Sequence, residues 1–165
     1  MIVYLVGMPG AGKSTVGREL AGRLGVPFVD LDREIEREAD RSVAELFAAD
    51  GEPAFRALEA GALVKAGMRD PSVVACGGGV VLEPANRITL RNTGIVVFLD
   101  VSLEQLRARV RPAADRPLIH AEGDLERLLV AREPLYREFA AHVVDGGAEP
   151  GQVAEAIVEE LRWSA

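Results

Sequence analysis

The chain has 165 residues, of which 48% are hydrophobic and 27% charged, with a formal net charge of −7. That is enough for one domain to bury a core without disulfides or metal, and the single cysteine, Cys76, cannot form an internal bridge. No apolar stretch nears the roughly 18 residues of a membrane span, and the acidic balance opposes general nucleic-acid binding, so a cytoplasmic protein is expected.

The first element is an apolar run over residues 2–6, which reads as a buried strand. It runs straight into Gly7-Met8-Pro9-Gly10-Ala11-Gly12-Lys13-Ser14-Thr15, the spacing G-x-x-x-x-G-K-[ST] of a phosphate-binding loop. Glycines let the backbone wrap a phosphate chain with its N–H groups turned inward, and the helix opening at Lys13 adds its positive end. Lys13 can reach the β- and γ-phosphates, and the Ser14 hydroxyl can ligate Mg²⁺. The chain is therefore expected to bind a nucleoside triphosphate.

Further strands are predicted at residues 27–29, 73–75, 95–99 and 142–144, with helical patterns between them. Strands alternating with helices mean βαβ crossovers and a parallel sheet covered on both faces. Ser42-x-x-Glu45 and Ser102-x-x-Gln105 read as capping boxes, Pro84 suits a first helical turn, and Gly25 and Gly67 read as helix stops. Residues 33–67 carry consecutive helices and predict a helical insertion. Residues 111–123, with two prolines and weak periodicity, predict a lid or binding loop.

Asp30 and Asp32 close the second strand, at the end that faces the ligand crevice in a parallel sheet. If the strand stays extended, alternation puts both on one side, with Asp30 near Mg²⁺ and Asp32 near an acceptor hydroxyl. The competing reading makes either one a helix N-cap. Arg56, taken alone, reads as a solvated helix face. Gly77-Gly78-Gly79 at the end of the third strand admit a close ligand or form a plain turn. Cys76 reads as core rather than nucleophile, and His120 and His142 lack the clustering of metal ligands.

Taken together, Gly-x-Pro-Gly-x-Gly-Lys-Ser-Thr, Asp30-x-Asp32, Asp50-Gly51-Glu52-x-x-Phe55-Arg56, Gly77-Gly78-Gly79, Arg116-Pro117-Leu118 and Arg132-x-Pro134-Leu135-Tyr136 resemble the shikimate kinases in order and spacing over essentially the whole chain. The resemblance implies a three-layer α/β/α fold of the nucleoside-monophosphate-kinase kind, with a five-stranded parallel sheet, as one kinase domain. It implies transfer of the γ-phosphoryl group of ATP to the 3-hydroxyl of shikimate, with Mg²⁺ at Ser14 and, through water, Asp30. It places the phosphates on Gly12, Lys13, Ser14, Thr15, Val16 and Gly17, Arg116 over them from the lid, and Arg109 near the adenine. Shikimate falls to Asp32, Arg56, Gly77, Gly78, Gly79 and Arg132, with Phe47 and Phe55 lining its pocket. Lys13, Asp32 and Arg116 become the catalytic set, and a monomer is expected. Where some members carry a basic residue before the proline equivalent to Pro150, this chain has Gly147-Ala148-Glu149. A kinase for another hydroxy acid such as gluconate, or a silent nucleotide-binding scaffold, is the rival reading.

Overall fold

A computed structural model describes residues 1–110, 117–121 and 123–163. Five strands, β1 (Ile2–Val6), β2 (Phe28–Asp30), β3 (Ser72–Ala75), β4 (Gly94–Asp100) and β5 (His142–Asp145), pair in parallel in the order β2-β3-β1-β4-β5. Each lies within two residues of its expected position. β1 is central and buried throughout, which explains its uninterrupted apolar sequence: a strand covered on both faces has no solvent side to mark with polar residues.

Helices α1 (Lys13–Leu24), α2 (Leu31–Ala39), α3 (Val43–Ala66), α4 (Pro84–Thr93), α5 (Leu103–Arg109), α6 (Asp124–Phe139) and α7 (Pro150–Trp163) connect and cover the sheet. The β1-to-β2 crossover runs one way along the sheet and the later crossovers run the other way. Right-handed connections then set α1 on one face and α2 to α6 on the other. α7 packs against α1, completing the first layer.

The predicted helix signals were realised unevenly. Ser42 and Glu45 form a complete capping box. At Ser102 only half forms: its hydroxyl accepts from the Gln105 backbone, while the Gln105 amide reaches the Gly147 carbonyl instead. The helical stretch between β2 and β3 is broken at Asp40, in the left-handed conformation, and kinked at Gly51, where φ is 81°. Arg41 to Asp50, Lys65 to Glu38 and Arg69 to Glu34 tie these pieces together. Residues 111–116 and 122 of the expected lid, with Arg116 among them, lie outside the described residues. Among those described, Ile119 is buried in the core and Asp124 accepts from the backbone of His120 and Ala121.

Candidate active site

All five strands point their carboxyl ends to one side, and the candidate residues collect there. The phosphate loop comes straight off β1. Gly10 has φ of 83°, and a β-carbon there would meet the Val110 side chain at 2.2 Å, so the position needs glycine on both counts. Lys13 bends back so that Nζ donates to the carbonyls of Gly7 and Met8, both at 2.8 Å. Burial lowers its pKa to about 8, against the pull of Asp32.

The Ser14 hydroxyl donates to Asp30 Oδ2 at 2.5 Å. Asp30 also caps α2, accepting from the Arg33 backbone at 3.4 Å. The extended geometry that would align Asp30 with Asp32 therefore stops one residue early, because helix begins at Leu31. Asp32 reaches the same cleft from the first turn of α2. Ligand side and helix cap, posed as alternatives at Asp30, coexist in one carboxylate. Burial, then the charges of Glu59 and Asp30, push the Asp32 pKa up to about 6.

Three cavities run end to end across this surface. One is bounded by Gly10, Gly12, Thr15, Val16, Arg109 and residues 146–150. Arg109 anchors it by donating to the carbonyls of Gly10, Gly146 and Gly147 at 3.3–3.4 Å. The middle cavity holds Lys13, Ser14, Asp30, Asp32, Gly77 and Gly78. The third, about 410 Å³, adds Phe47, Phe55, Arg56, Glu59, Gly79, Pro117, Leu118 and Arg132. Neighbouring cavities share residues, Gly10 and Gly12 on one side and Asp32 and Gly78 on the other, so they form one trough. Gly17 borders none of the three; it packs on the Phe28 ring instead.

In the third cavity Phe47 and Phe55 stand 4.7 Å apart, and the Arg56 guanidinium lies over both. Arg56 is held by Glu59 at 2.8 Å and Glu52 at 3.1 Å, against the space a side chain at Gly79 would fill. Arg132, only 3% exposed on α6, has no carboxylate within 4.0 Å among the described residues. A buried cation in contact with no carboxylate is costly, though Glu59 in the same cavity feels its charge, and the cavity offers an anion a natural place to sit. Cys76 is buried, which raises its thiol well above the usual range, as its reading as core required.

The geometry fits a triphosphate at one end and a small anion at the other. Comparisons with known proteins give the family. The family model described as "Shikimate kinase" matches residues 9–162. The chain belongs to the shikimate kinase family. Shikimate kinase of Aromatoleum aromaticum is 47% identical over 166 residues, covering 98% of this chain and 95% of that one. The enzyme of Symbiobacterium thermophilum is 49% identical over 148 residues, covering 87% and 84%. The structure of shikimate kinase from Acinetobacter baumannii in complex with shikimate has a TM-score of 0.95 at 37% identity, covering 99% of this chain and 93% of that one. The activity is that family's ATP-dependent kinase activity.

Sequence reasoning missed two residues at this kinase's trough, Glu59 in its wall and Tyr136 behind it. Glu59 is fully buried, and its Oε2 has no hydrogen-bond partner among the described residues. Its signal was the three-residue step from Arg56, which puts both on one helix face. Tyr136 is fully buried, and its hydroxyl donates to the Gly78 carbonyl. It stood in the Arg-x-Pro-Leu-Tyr motif without an assigned role.

Proposed function

We propose that the trough seats Mg-ATP at the Arg109 end and shikimate at the Arg132 end, and passes the γ-phosphoryl group to the 3-hydroxyl between them. The observation that carries this reading is the buried Arg132, with no ion pair within 4.0 Å among the described residues, facing the same cavity as Arg56. Both offer planar forks that match one carboxylate.

Ser14 and Asp30 would hold Mg²⁺; a hydroxyl and a carboxylate oxygen 2.5 Å apart are hard oxygen donors of the right kind. Held there, Mg²⁺ would supply neutralisation of phosphate charge. Lys13 would turn from the loop carbonyls to the β- and γ-phosphates. Asp32 would orient the 3-hydroxyl and take its proton as the new O–P bond forms, while the bond to the bridging oxygen breaks and its electron pair leaves with ADP. An Asp with pKa near 6 is a better proton acceptor at neutral pH than an ordinary one. Residues 33–67 would act as the acceptor-binding insertion and residues 111–123 as the lid, with Arg116 stabilising the migrating group. A monomer suffices for this arrangement, since every proposed contact comes from one chain.

Transfer through a loose transition state depends on position and charge. The test is ADP release with Mg-ATP across shikimate, gluconate and nucleotides. ADP release should depend on shikimate and on none of the others. Arg132→Ala should raise the shikimate KM about 10- to 100-fold with kcat nearly unchanged, as expected for loss of charge-assisted bonds made equally in ground and transition states. Lys13→Ala should instead lower kcat. An unchanged shikimate KM in Arg132→Ala would remove the carboxylate assignment.

A further inference from the structure

The two sides of the acceptor cavity come from parts of the chain far apart in sequence. The Gly77-Gly78-Gly79 segment leaves the end of β3, and Arg132 stands on α6. Tyr136 links them. It lies one helical turn beyond Arg132, so both side chains leave the same face of α6. Its hydroxyl donates to the carbonyl of Gly78, and the space beside the Gly78 α-carbon is taken by Arg132, whose Nη1 lies 3.2 Å from where a β-carbon would stand. The ring itself is fixed: it is fully buried and stacked on Phe98 of β4 at 5.2 Å and 26°. Among the described residues Tyr136 is not in the lining of any of the three cavities of the trough.

We propose that Tyr136 is a positioning residue for the acceptor: its hydroxyl sets the register between the Gly78 segment and α6, and so fixes where the Arg132 guanidinium stands. Phe98 supplies the rigid backing from the sheet. The glycine segment carries no side chains of its own to lock it against the helix, so a bond to its backbone is the available means. Packing of the ring is separable from this role, because phenylalanine keeps the stack and loses only the hydroxyl.

The inference rests on Arg132 as an acceptor-binding residue, and a double-mutant cycle tests the two separately. Tyr136→Phe should raise the shikimate KM about tenfold, the worth of one hydrogen bond, with kcat and the ATP KM within about twofold. Tyr136→Phe added to Arg132→Ala should bring no further loss, since the register then has no guanidinium to place. If Arg132→Ala leaves the shikimate KM unchanged, the reading of the site falls and this inference with it. If Arg132→Ala raises KM but Tyr136→Phe does not, or the two effects multiply in full, the positioning role alone is overturned. A Tyr136→Phe enzyme whose melting temperature falls while kcat and both KM values shift together would also overturn it, by making the hydroxyl merely structural.

Discussion

At Asp32, burial and two neighbouring carboxylates all oppose the charge that the proposed chemistry requires. The folded chain holds this proton more tightly than the unfolded chain, whose ordinary aspartate pKa is 3.8. Between that value and about 6 the folded state therefore binds more protons, and stability falls as pH rises through the window. Asp32→Asn removes the ionisation. In protein free of Mg²⁺ and nucleotide, it should be more stable than the parent at pH 7 by about 3 kcal/mol, an advantage that disappears near pH 3.5. The same change should lower kcat by about 100-fold or more, if the carboxylate accepts the hydroxyl proton. Thermal melts at the two pH values and steady-state rates check both halves. An Asp32→Asn protein no more stable at pH 7 would show that the site tolerates the charge without strain. The residue types were legible here, but their environment was not, because the buried Glu59 meets Asp32 only after α2 and α3 fold against each other.

The elements with the clearest local signals gave the most faithful expectations. A phosphate loop between a buried strand and a helix, a complete capping box at Ser42 and a proline opening α4 all depend on contacts within a few residues. The β2–α2 junction failed because the side chain that ends the strand also starts the helix, and alternation cannot anticipate that change of period. Gly77 shows what local reading leaves out. A turn explains its backbone, yet a β-carbon there would lie 2.7 Å from Glu59 Oε2 and 3.0 Å from Asp32 Oδ1. Gly77→Ala should therefore spread two carboxylates that shape the acceptor cavity. An overpacking cost of about 1–3 kcal/mol, felt at the site, implies a fall in kcat/KM for shikimate of about 5- to 100-fold with the far-ultraviolet dichroism unchanged. Normal turnover by Gly77→Ala would mean that Glu59 moves aside freely.

On the scale of the whole molecule, an acidic protein handles two anionic substrates by sorting its charges. Exposed arginines are largely matched to surface acids, as at Arg37, Arg107 and Arg137, while Lys13 and Arg132 face the trough. The net charge of −7 gave no hint of this, since it sums over positions that the fold separates. The sheet also explains Cys76, which sits just past β3 beneath the trough and is 2% exposed. Native protein should react with a thiol reagent at the rate of global unfolding, and addition of denaturant should release one fast-reacting thiol. Rapid modification of the native chain would show that this floor opens on its own. Among the described residues no helix is long and apolar enough to cross a membrane. The strands' common direction was readable from their alternation with helices; the continuity of the three cavities was not, because it exists only where the segments that follow all five strands converge.

Lys13 closes the phosphate loop on itself, bonded to the carbonyls of Gly7 and Met8. A nucleotide therefore meets a socket whose backbone is already set, and its capture is an encounter followed by a swing of one side chain. With the phosphate loop itself already formed, the first encounter should follow collision frequency and rise in simple proportion to nucleotide concentration.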